Sequence, residues 1–259
     1  SARVSLTAWG HAVATPGCAV AALQHANGEV GTRQPVTAAH EQCAAAGVPL
    51  VVDAQASLGR WGVPPAYDVL VGDASSVAGP PLGLLVVPER TAFRRSGPPR
   101  EAEFGRADAR VWVPLALAAA EAWQQCAAVR AADNAAAHEL IGRVRAAVAA
   151  IPDVEIVGDP DDRLPHIVTF SALYADGESL VRELDRRGLA LASGSACTSS
   201  TLEPSHVLAA MGALTHGNVR LTLPWEAAVP ERQAGIERLI AHLPEVVAGV
   251  RAQLGAQGL

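Results

Sequence analysis

A cysteine in a loop of small polar residues is the feature of this sequence that most directly indicates chemistry. Cys197 lies in the run Ser193-Gly-Ser-Ala-Cys-Thr-Ser-Ser-Thr-Leu-Glu-Pro204, after which a helix is predicted to begin. Small neighbours and several hydrogen-bond donors favour the thiolate, which is the nucleophilic form of cysteine. A loop rich in glycine and serine also lets a thiol move between a donor and an acceptor. Cys197 is therefore a candidate nucleophile, and an inert cysteine in a turn before a helix is the alternative.

Two charged residues stand at positions where ligands often bind. Asp53 follows a short apolar run that predicts a strand, and α/β proteins bind ligands at the carboxyl ends of such strands. A purely structural role for Asp53 is the alternative. Arg220 lies in another predicted strand, and its guanidinium suits either a carboxylate ligand or an ion pair at a strand edge. The histidines His25, His166 and His206 lack metal-ligand spacing, so no metal site is predicted.

The composition is that of an ordinary α/β protein, with 50% hydrophobic and 18% charged residues among 259. A net charge of −6 argues against nucleic-acid binding, which depends on clustered cations. The apolar runs are too short to span a membrane, and no secretion signal opens the sequence. Cys18, Cys43 and Cys126 are widely spaced and are expected to be buried thiols in a reducing compartment. We therefore expect a cytoplasmic protein with no nucleic-acid or membrane partner.

Short apolar runs that alternate with helical stretches predict a mostly parallel sheet in the first half of the chain. The predicted elements there are strands at 19–23, 50–52, 69–71 and 84–87 and helices at 35–46 and 113–131. The predicted elements of the second half are helices at 135–150, 177–187 and 230–254, the last broken near Pro244, and strands at 154–157, 167–170, 189–192 and 218–223. We expect an α/β region resembling a large domain over 1–125 and a small α+β domain, which carries the cysteine loop, over 126–259.

Several motifs, in this order, resemble those of the cysteine desulfurases, which are pyridoxal-phosphate (PLP) enzymes of the class V aminotransferase group. The segment from His25 to Pro35 resembles the family's His-x-Asn-Asn-Glu-x-Gly stretch, and Val52 to Gly59 resembles the segment whose aspartate pairs with the pyridinium nitrogen. Ala74 to Gly83 takes the place of the Ser-x-His-Lys segment. Asn218 to Arg220 matches the strand whose arginine binds the substrate carboxylate, and the loop of Cys197 resembles the persulfide loop.

The resemblance implies a PLP fold type I large domain, N-terminally incomplete in this sequence, with a smaller α+β C-terminal domain. Members of this fold type build their sites at a subunit interface. The resemblance therefore implies a dimer as well.

The sequence departs from the family where the cofactor would be held. Its 20 basic residues are all arginine, whereas the family holds PLP as a Schiff base on a lysine. Ser75 and Ser76 stand where the family has His-Lys, and Gly28 stands where an asparagine would meet the pyridoxal hydroxyl. The expected glutamine is displaced by one position to Gln55, and strand alternation predicts that Gln55 points to the opposite face. Together with Asp53 these are vestigial cofactor positions, and no covalently bound cofactor is expected.

Three functions are compatible with these residues. The first is a desulfurase-like protein that accepts sulfane sulfur on Cys197 and passes it on, since persulfide exchange needs a thiolate and no electron sink. The second is a non-catalytic pseudo-enzyme subunit that pairs with or regulates an active desulfurase. The third is a fragment of a PLP-dependent desulfurase or aminotransferase, because a sequence that starts at Ser1 without Met is compatible with a processed or truncated N-terminus. The expected partners are a second copy or a related desulfurase, and for the first function a sulfur-acceptor protein.

Overall fold

The computed structural model describes residues 2–94, 96–97, 101–107, 110, 112–193 and 205–255. The contacts within the chain divide it into two compact units. The first unit comprises Arg3–Ala26 and Gln34–Arg130, and the second comprises Ser1–Ala2, Asn27–Arg33 and Ala131–Leu259. The domain boundary near residue 125 stays a prediction.

The first unit contains a sheet in which three parallel strands are followed by one antiparallel strand. Its elements are α1 (Leu6–Val13), β1 (Ala21–Gln24), α2 (Val36–Ala46), β2 (Leu50–Asp53), β3 (Val69–Asp73), a 3₁₀ turn (Ala74–Val77), β4 (Gly83–Val86), a second 3₁₀ turn (Ala102–Gly105) and the first part of α3 (Val113–Ala149). The strand order is β1-β2-β3-β4, with β4 antiparallel to β3. The parallel-rich α/β sheet predicted from the apolar runs is confirmed.

Burial of alternate residues explains why α2 and β2 form where they do. In β2, Leu50 and Val52 are fully buried, whereas the residues between and after them are half-buried. The buried residues of α2 recur at helical spacing, which gives the helix one apolar face for the same core. The helix ends at Gly47, which adopts the left-handed conformation with φ +68°. The last residue of β2, Asp53, is thereby held at the carboxyl edge of the sheet.

The second unit contains a sheet in which all neighbouring strands are antiparallel. Its elements are the remainder of α3, β5 (Val154–Val157), β6 (Ile167–Ala172), α4 (Gly177–Asp185), β7 (Ala192–Ser193), α5 (His206–Met211), β8 (Asn218–Thr222) and α6 (Arg232–Gln253). The strand order is β5-β6-β8-β7. Every residue of β6 is buried, and Phe170 of this strand lies in a core with residues of α3, α4 and α6.

A glycine fixes the path into β8. Gly217 has φ +65°, and its carbonyl accepts a hydrogen bond from the Ala172 N–H. A Cβ atom at this position would lie 2.1 Å from the carbonyl oxygen of Ala172, so no other residue fits without moving the strands. The position of Arg220, three residues further on, depends on this turn.

Four predicted elements differ from the structure. The helices predicted at 113–131 and 135–150 are one continuous helix, α3. The strand predicted at 189–192 is reduced to β7, because Leu189 instead closes the end of α4 through its N–H bond to the Leu184 carbonyl. Pro244 does not break α6, which continues through it, and α1 was not predicted. In the described parts of the chain, no helix combines the length and the hydropathy that crossing a membrane requires.

Candidate functional site

The predicted nucleophile, Cys197, and the segment 194–204 around it lie outside the described residues. The described chain stops at β7, in which Ala192 lies opposite Arg220 of β8. It resumes at Ser205, whose hydroxyl accepts the hydrogen bond that caps α5. The strand that carries Arg220 is therefore the neighbour of the strand from which the cysteine segment starts.

Arg220 lies in the middle of β8, directly opposite Thr169 of β6. Its Nη1 donates a hydrogen bond to the carbonyl oxygen of Gly28 at 3.3 Å. Its Nε is buried and has no hydrogen-bond partner within the described residues. The same part of the chain offers no ion pair to Arg220, so the strand-edge ion pair considered from the sequence is not found there. The carboxylate-binding role of Arg220 stays a prediction.

The turn that contains Gly28 is built by the side chain of Asn27. The Oδ1 atom of Asn27 accepts hydrogen bonds from the N–H groups of Glu29 at 2.9 Å and Val30 at 3.0 Å. The backbone N–H of Asn27 donates to the Thr32 carbonyl at 2.9 Å. The position at which the family carries a second asparagine thus contributes a backbone carbonyl to Arg220. The sequence indicated the loss of that asparagine but not this contact.

Asp53 lies at the carboxyl end of β2, as predicted. Its Oδ1 accepts a hydrogen bond from the Gln55 N–H at 2.8 Å, and its backbone carbonyl accepts one from the His25 N–H at 2.7 Å. These bonds hold the turn that follows β2. The predicted orientation of Gln55 rested on strand alternation, which does not reach this residue because β2 ends at Asp53. The pairing of Asp53 with a ring nitrogen stays a prediction.

His25 and Ser57 form a buried polar pair in the first unit. The Nδ1 atom of His25 lies 2.9 Å from the Ser57 hydroxyl, and that hydroxyl donates to the Ala54 carbonyl at 3.2 Å. The Ser57 hydroxyl therefore links the His25 ring to the backbone of the turn after β2.

Ser75 and Ser76 lie in the 3₁₀ turn that follows β3. Asp73 caps this turn by accepting a hydrogen bond from the Ser75 N–H at 2.8 Å. The hydroxyl of Ser75, and then its N–H, stabilise the Asp73 carboxylate and lower its pKa. The Ser76 hydroxyl donates to the Gln55 carbonyl at 2.8 Å. Sequence reasoning missed the role of Asp73, although an aspartate two residues before a serine at a strand end is a recognisable capping signal.

Within each unit, the structure brings predicted positions together. In the first unit, Asp53 and Ser76 are both hydrogen-bonded to the backbone of Gln55. In the second unit, Arg220 is hydrogen-bonded to the backbone of Gly28. Within the described ranges, no group of three or more histidine, cysteine, aspartate or glutamate side chains is arranged to hold a metal ion.

Comparison with known proteins identifies the class of protein to which this sheet and these positions belong. Residues 103–228 match the family model described as Aminotransferase class-V. The structure of a NifS-like protein from Rickettsia africae superimposes with a TM-score of 0.79 at 17% sequence identity, covering 95% of this chain and 67% of that one. The fold is thus that of the PLP-dependent fold type I proteins.

Curated relatives narrow the class to a family. The chain is 32% identical to the cysteine desulfurase NifS of Azotobacter vinelandii over 92% of its own length and 60% of the relative's. It is also 32% identical to a cysteine desulfurase of Cereibacter sphaeroides, over 96% of this chain and 65% of the relative. The chain belongs to the cysteine desulfurase family. It spans about three fifths of the length of the first curated relatives that it matches.

Proposed function

We propose that this chain is a cysteine desulfurase-like sulfur carrier that accepts sulfane sulfur on Cys197 and passes it to an acceptor protein. The observation that carries the proposal is Ser76, which occupies the place expected for the Schiff-base lysine in a sequence without lysine. Ser76 is engaged in a hydrogen bond to the Gln55 carbonyl, so its hydroxyl has a structural role. A thiol within the family's persulfide motif then remains as the reactive group.

The proposed step is an exchange between a thiolate and a persulfide. The Cys197 thiolate attacks the outer sulfur of a donor persulfide, a new sulfur–sulfur bond forms at Cys197, and the old one breaks. The donor leaves as a thiolate, which takes with it the electron pair of the broken bond. No net oxidation occurs, so the step needs no redox partner. The test is whether a small-molecule persulfide adds one sulfur atom to the peptide that contains Cys197.

The residues present do not fit a covalently held PLP. Serine at position 76 cannot form an imine, because its side chain has no amine. Gly28 offers no side chain for the pyridoxal hydroxyl, and Asp53 already accepts the hydrogen bond of the Gln55 N–H. No step of the proposed relay therefore runs through the cofactor.

The purified protein is expected to lack the visible absorption band of an internal aldimine. Borohydride reduction after incubation with PLP should fix no pyridoxal to an internal residue, because the chain has no lysine. Absorption spectra measure the aldimine band, and peptide mass spectrometry measures the pyridoxal that is fixed. An active, PLP-containing cysteine desulfurase is the positive control. Stoichiometric pyridoxal on any group other than the α-amino terminus would contradict this expectation.

A second candidate function is a pseudo-enzyme subunit that pairs with an active desulfurase, and the apolar surface of the first unit favours it. In β4, Leu85 is 50% exposed, and in α3, Leu117 is 65% exposed. Leu85 lines an open cavity of about 610 Å³, and Trp123 of α3 contributes to its wall. The edge of β4 away from β3 has no strand partner among the described residues. A fragment of a PLP enzyme ranks lower, since truncation would not change Ser76.

We further propose that the chain assembles as a homodimer or as a heterodimer with a related desulfurase, and expect light scattering to give twice the mass of one chain or a mixed complex. Replacing Leu117 with arginine should weaken the assembly, because it places a charge within an exposed apolar surface. The matched control is Val229→Arg, which changes an exposed valine of the other unit. A stable monomer that captures no related chain would argue against both forms of assembly.

A further inference from the structure

Glu29 and Arg220 are held at neighbouring positions in the second unit by bonds to the backbone. The N–H of Glu29 donates to Asn27 Oδ1 at 2.9 Å, and its carbonyl accepts a hydrogen bond from Thr169 Oγ1 at 2.5 Å. Thr169 lies directly opposite Arg220 in the sheet. Arg220 in turn donates to the carbonyl of Gly28, the residue before Glu29. Three hydrogen bonds thus hold the backbone of Glu29 and the guanidinium of Arg220 in place.

Both side chains nevertheless keep a buried polar atom that is not satisfied. Oε1 of Glu29 and Nε of Arg220 are buried and have no hydrogen-bond partner in the described part of the chain. The two residues do not form an ion pair with each other there, although they carry opposite charges. A buried polar atom without a partner is costly, and the cost is larger for charged groups. The two buried atoms would be satisfied by a ligand that carries a hydrogen-bond acceptor for Arg220 and a hydrogen-bond donor for Glu29.

An α-amino acid supplies both groups on one carbon atom. Its carboxylate accepts from a guanidinium, and its ammonium group donates to a carboxylate. Both residues are half-buried as a whole, so part of each residue is exposed to solvent. We propose that Glu29 is a specificity-determining residue that binds the ammonium group of an amino-acid ligand whose carboxylate is bound by Arg220. This inference rests on the proposed ligand-binding role of Arg220.

The inference has a consequence for the sulfur donor. A persulfide built on an amino acid would be held at both charged groups, whereas the same persulfide without its ammonium group would be held only by Arg220. Discrimination between the two ligands therefore reports on Glu29, and the binding of either one reports on Arg220.

The experiment measures binding by calorimetry to the full chain carrying Cys197→Ser, so that no sulfur can be transferred. The probes are S-methyl-L-cysteine and its deaminated analogue 3-(methylthio)propionate. The amino acid should bind about tenfold more tightly or better, which is the effect of one hydrogen bond to a charged group. Adding Glu29→Gln should bring the two affinities to about the same value, within roughly twofold, without weakening the binding of the deaminated analogue.

Two further variants separate the possible outcomes. Glu178→Gln removes an exposed glutamate of the same unit and should preserve the discrimination. Glu29→Asp keeps the charge but shortens the side chain, and it should reduce the discrimination between the two probes in part. This variant provides the test if Glu29→Gln fails to fold. Equal binding of both probes to the parent chain, or unchanged discrimination in Glu29→Gln, would overturn the role of Glu29. Unchanged discrimination in Glu29→Gln would mean that a bridging water, and not a ligand, satisfies the two buried atoms.

Failure of the proposed function gives a different result. If neither probe binds and Arg220→Gln changes nothing, Arg220 is not a carboxylate site, and the role of Glu29 falls with it. If both probes bind but Cys197 in the parent chain accepts no sulfur, the relay fails while the amino-acid site stands.

Discussion

Replacing Cys197 with serine is expected to reduce the loading of sulfane sulfur to the background level. Persulfide exchange needs a thiolate, and a serine hydroxyl keeps its proton near neutral pH, which makes it a much weaker nucleophile. Each cysteine lies in a different tryptic peptide because arginines separate them in the sequence, and Cys197 lies in the peptide 188–220. Mass spectrometry after incubation with a persulfide should therefore show one added sulfur atom on that peptide of the parent chain and none on the variant.

The other cysteines provide internal controls. Cys43 is fully buried, and burial raises the pKa of its thiol, so the thiolate is scarce. Cys126 is also buried, with its sulfur 3.2 Å from the Val77 carbonyl. Cys18 was predicted to be buried as well, but it is only half-buried, so it is the natural competitor. The matched control variant is Cys18→Ser, which should keep full loading at Cys197.

Alkylation rates should decrease as the burial of the thiol increases. Cys197 should react faster than Cys18, and Cys43 and Cys126 should react most slowly. If Cys197 stays unmodified under conditions that load sulfur onto an active cysteine desulfurase, the proposed sulfur-carrier function is wrong. The pseudo-enzyme subunit then becomes the leading function.

Local patterns were sufficient for most of the fold. The apolar runs that became β2 and β3 each contribute buried residues to the first unit, Leu50 and Val52 from β2 and Leu70 from β3. The sequence predicts two helices where α3 is one, and the polar residues Asp133 and Asn134 lie between the two predicted helices. This polar pair is misleading, since Asp133 is buried against Arg232, far away in the chain. The residues next to Asp133 in the sequence do not indicate a partner so distant in the chain.

The candidate site was predictable as a set of positions but not as a set of contacts. Motif order placed Asp53, Ser76, Gly28 and Arg220, since their types could be compared one by one. The position of Glu29 depends on the bonds of its backbone to Asn27 and Thr169, and Thr169 lies in β6, 140 residues further along the chain. No spacing rule links residues so distant in sequence. The turn that places Gln55 likewise depends on where β2 ends, which is the least certain part of a sequence-based prediction.

The ion pair between Asp133 and Arg232 is expected to have the largest effect on stability. Both side chains are nearly inaccessible, at 4% and 2% exposure, and their charged atoms are 2.9 Å apart. Asp133 also accepts the Glu226 N–H at 2.9 Å, and Arg232 donates to the Pro224 carbonyl at 2.9 Å. This network joins α3 to the start of α6 through the turn between β8 and α6. Removing Asp133 would leave the buried guanidinium of Arg232 with only the exposed Glu226 carboxylate, at 3.3 Å, as its ionic partner, and would leave the Glu226 N–H without its acceptor.

Asp133→Ala should therefore lower the free energy of unfolding of the second unit by about 3–5 kcal/mol, the usual effect of removing one partner of a buried pair. Urea titration followed by circular dichroism measures the loss, and hydrogen exchange of the α6 amides assigns it to this unit. The matched control is Glu183→Gln, which weakens a more exposed pairing with Arg186 and Arg187 and should cost no more than about 1 kcal/mol. The double variant Asp133→Leu/Arg232→Met should recover much of the stability, because it removes the uncompensated charge. An Asp133→Ala chain as stable as the control would mean that water reaches Arg232 and that the pair does not hold these elements together.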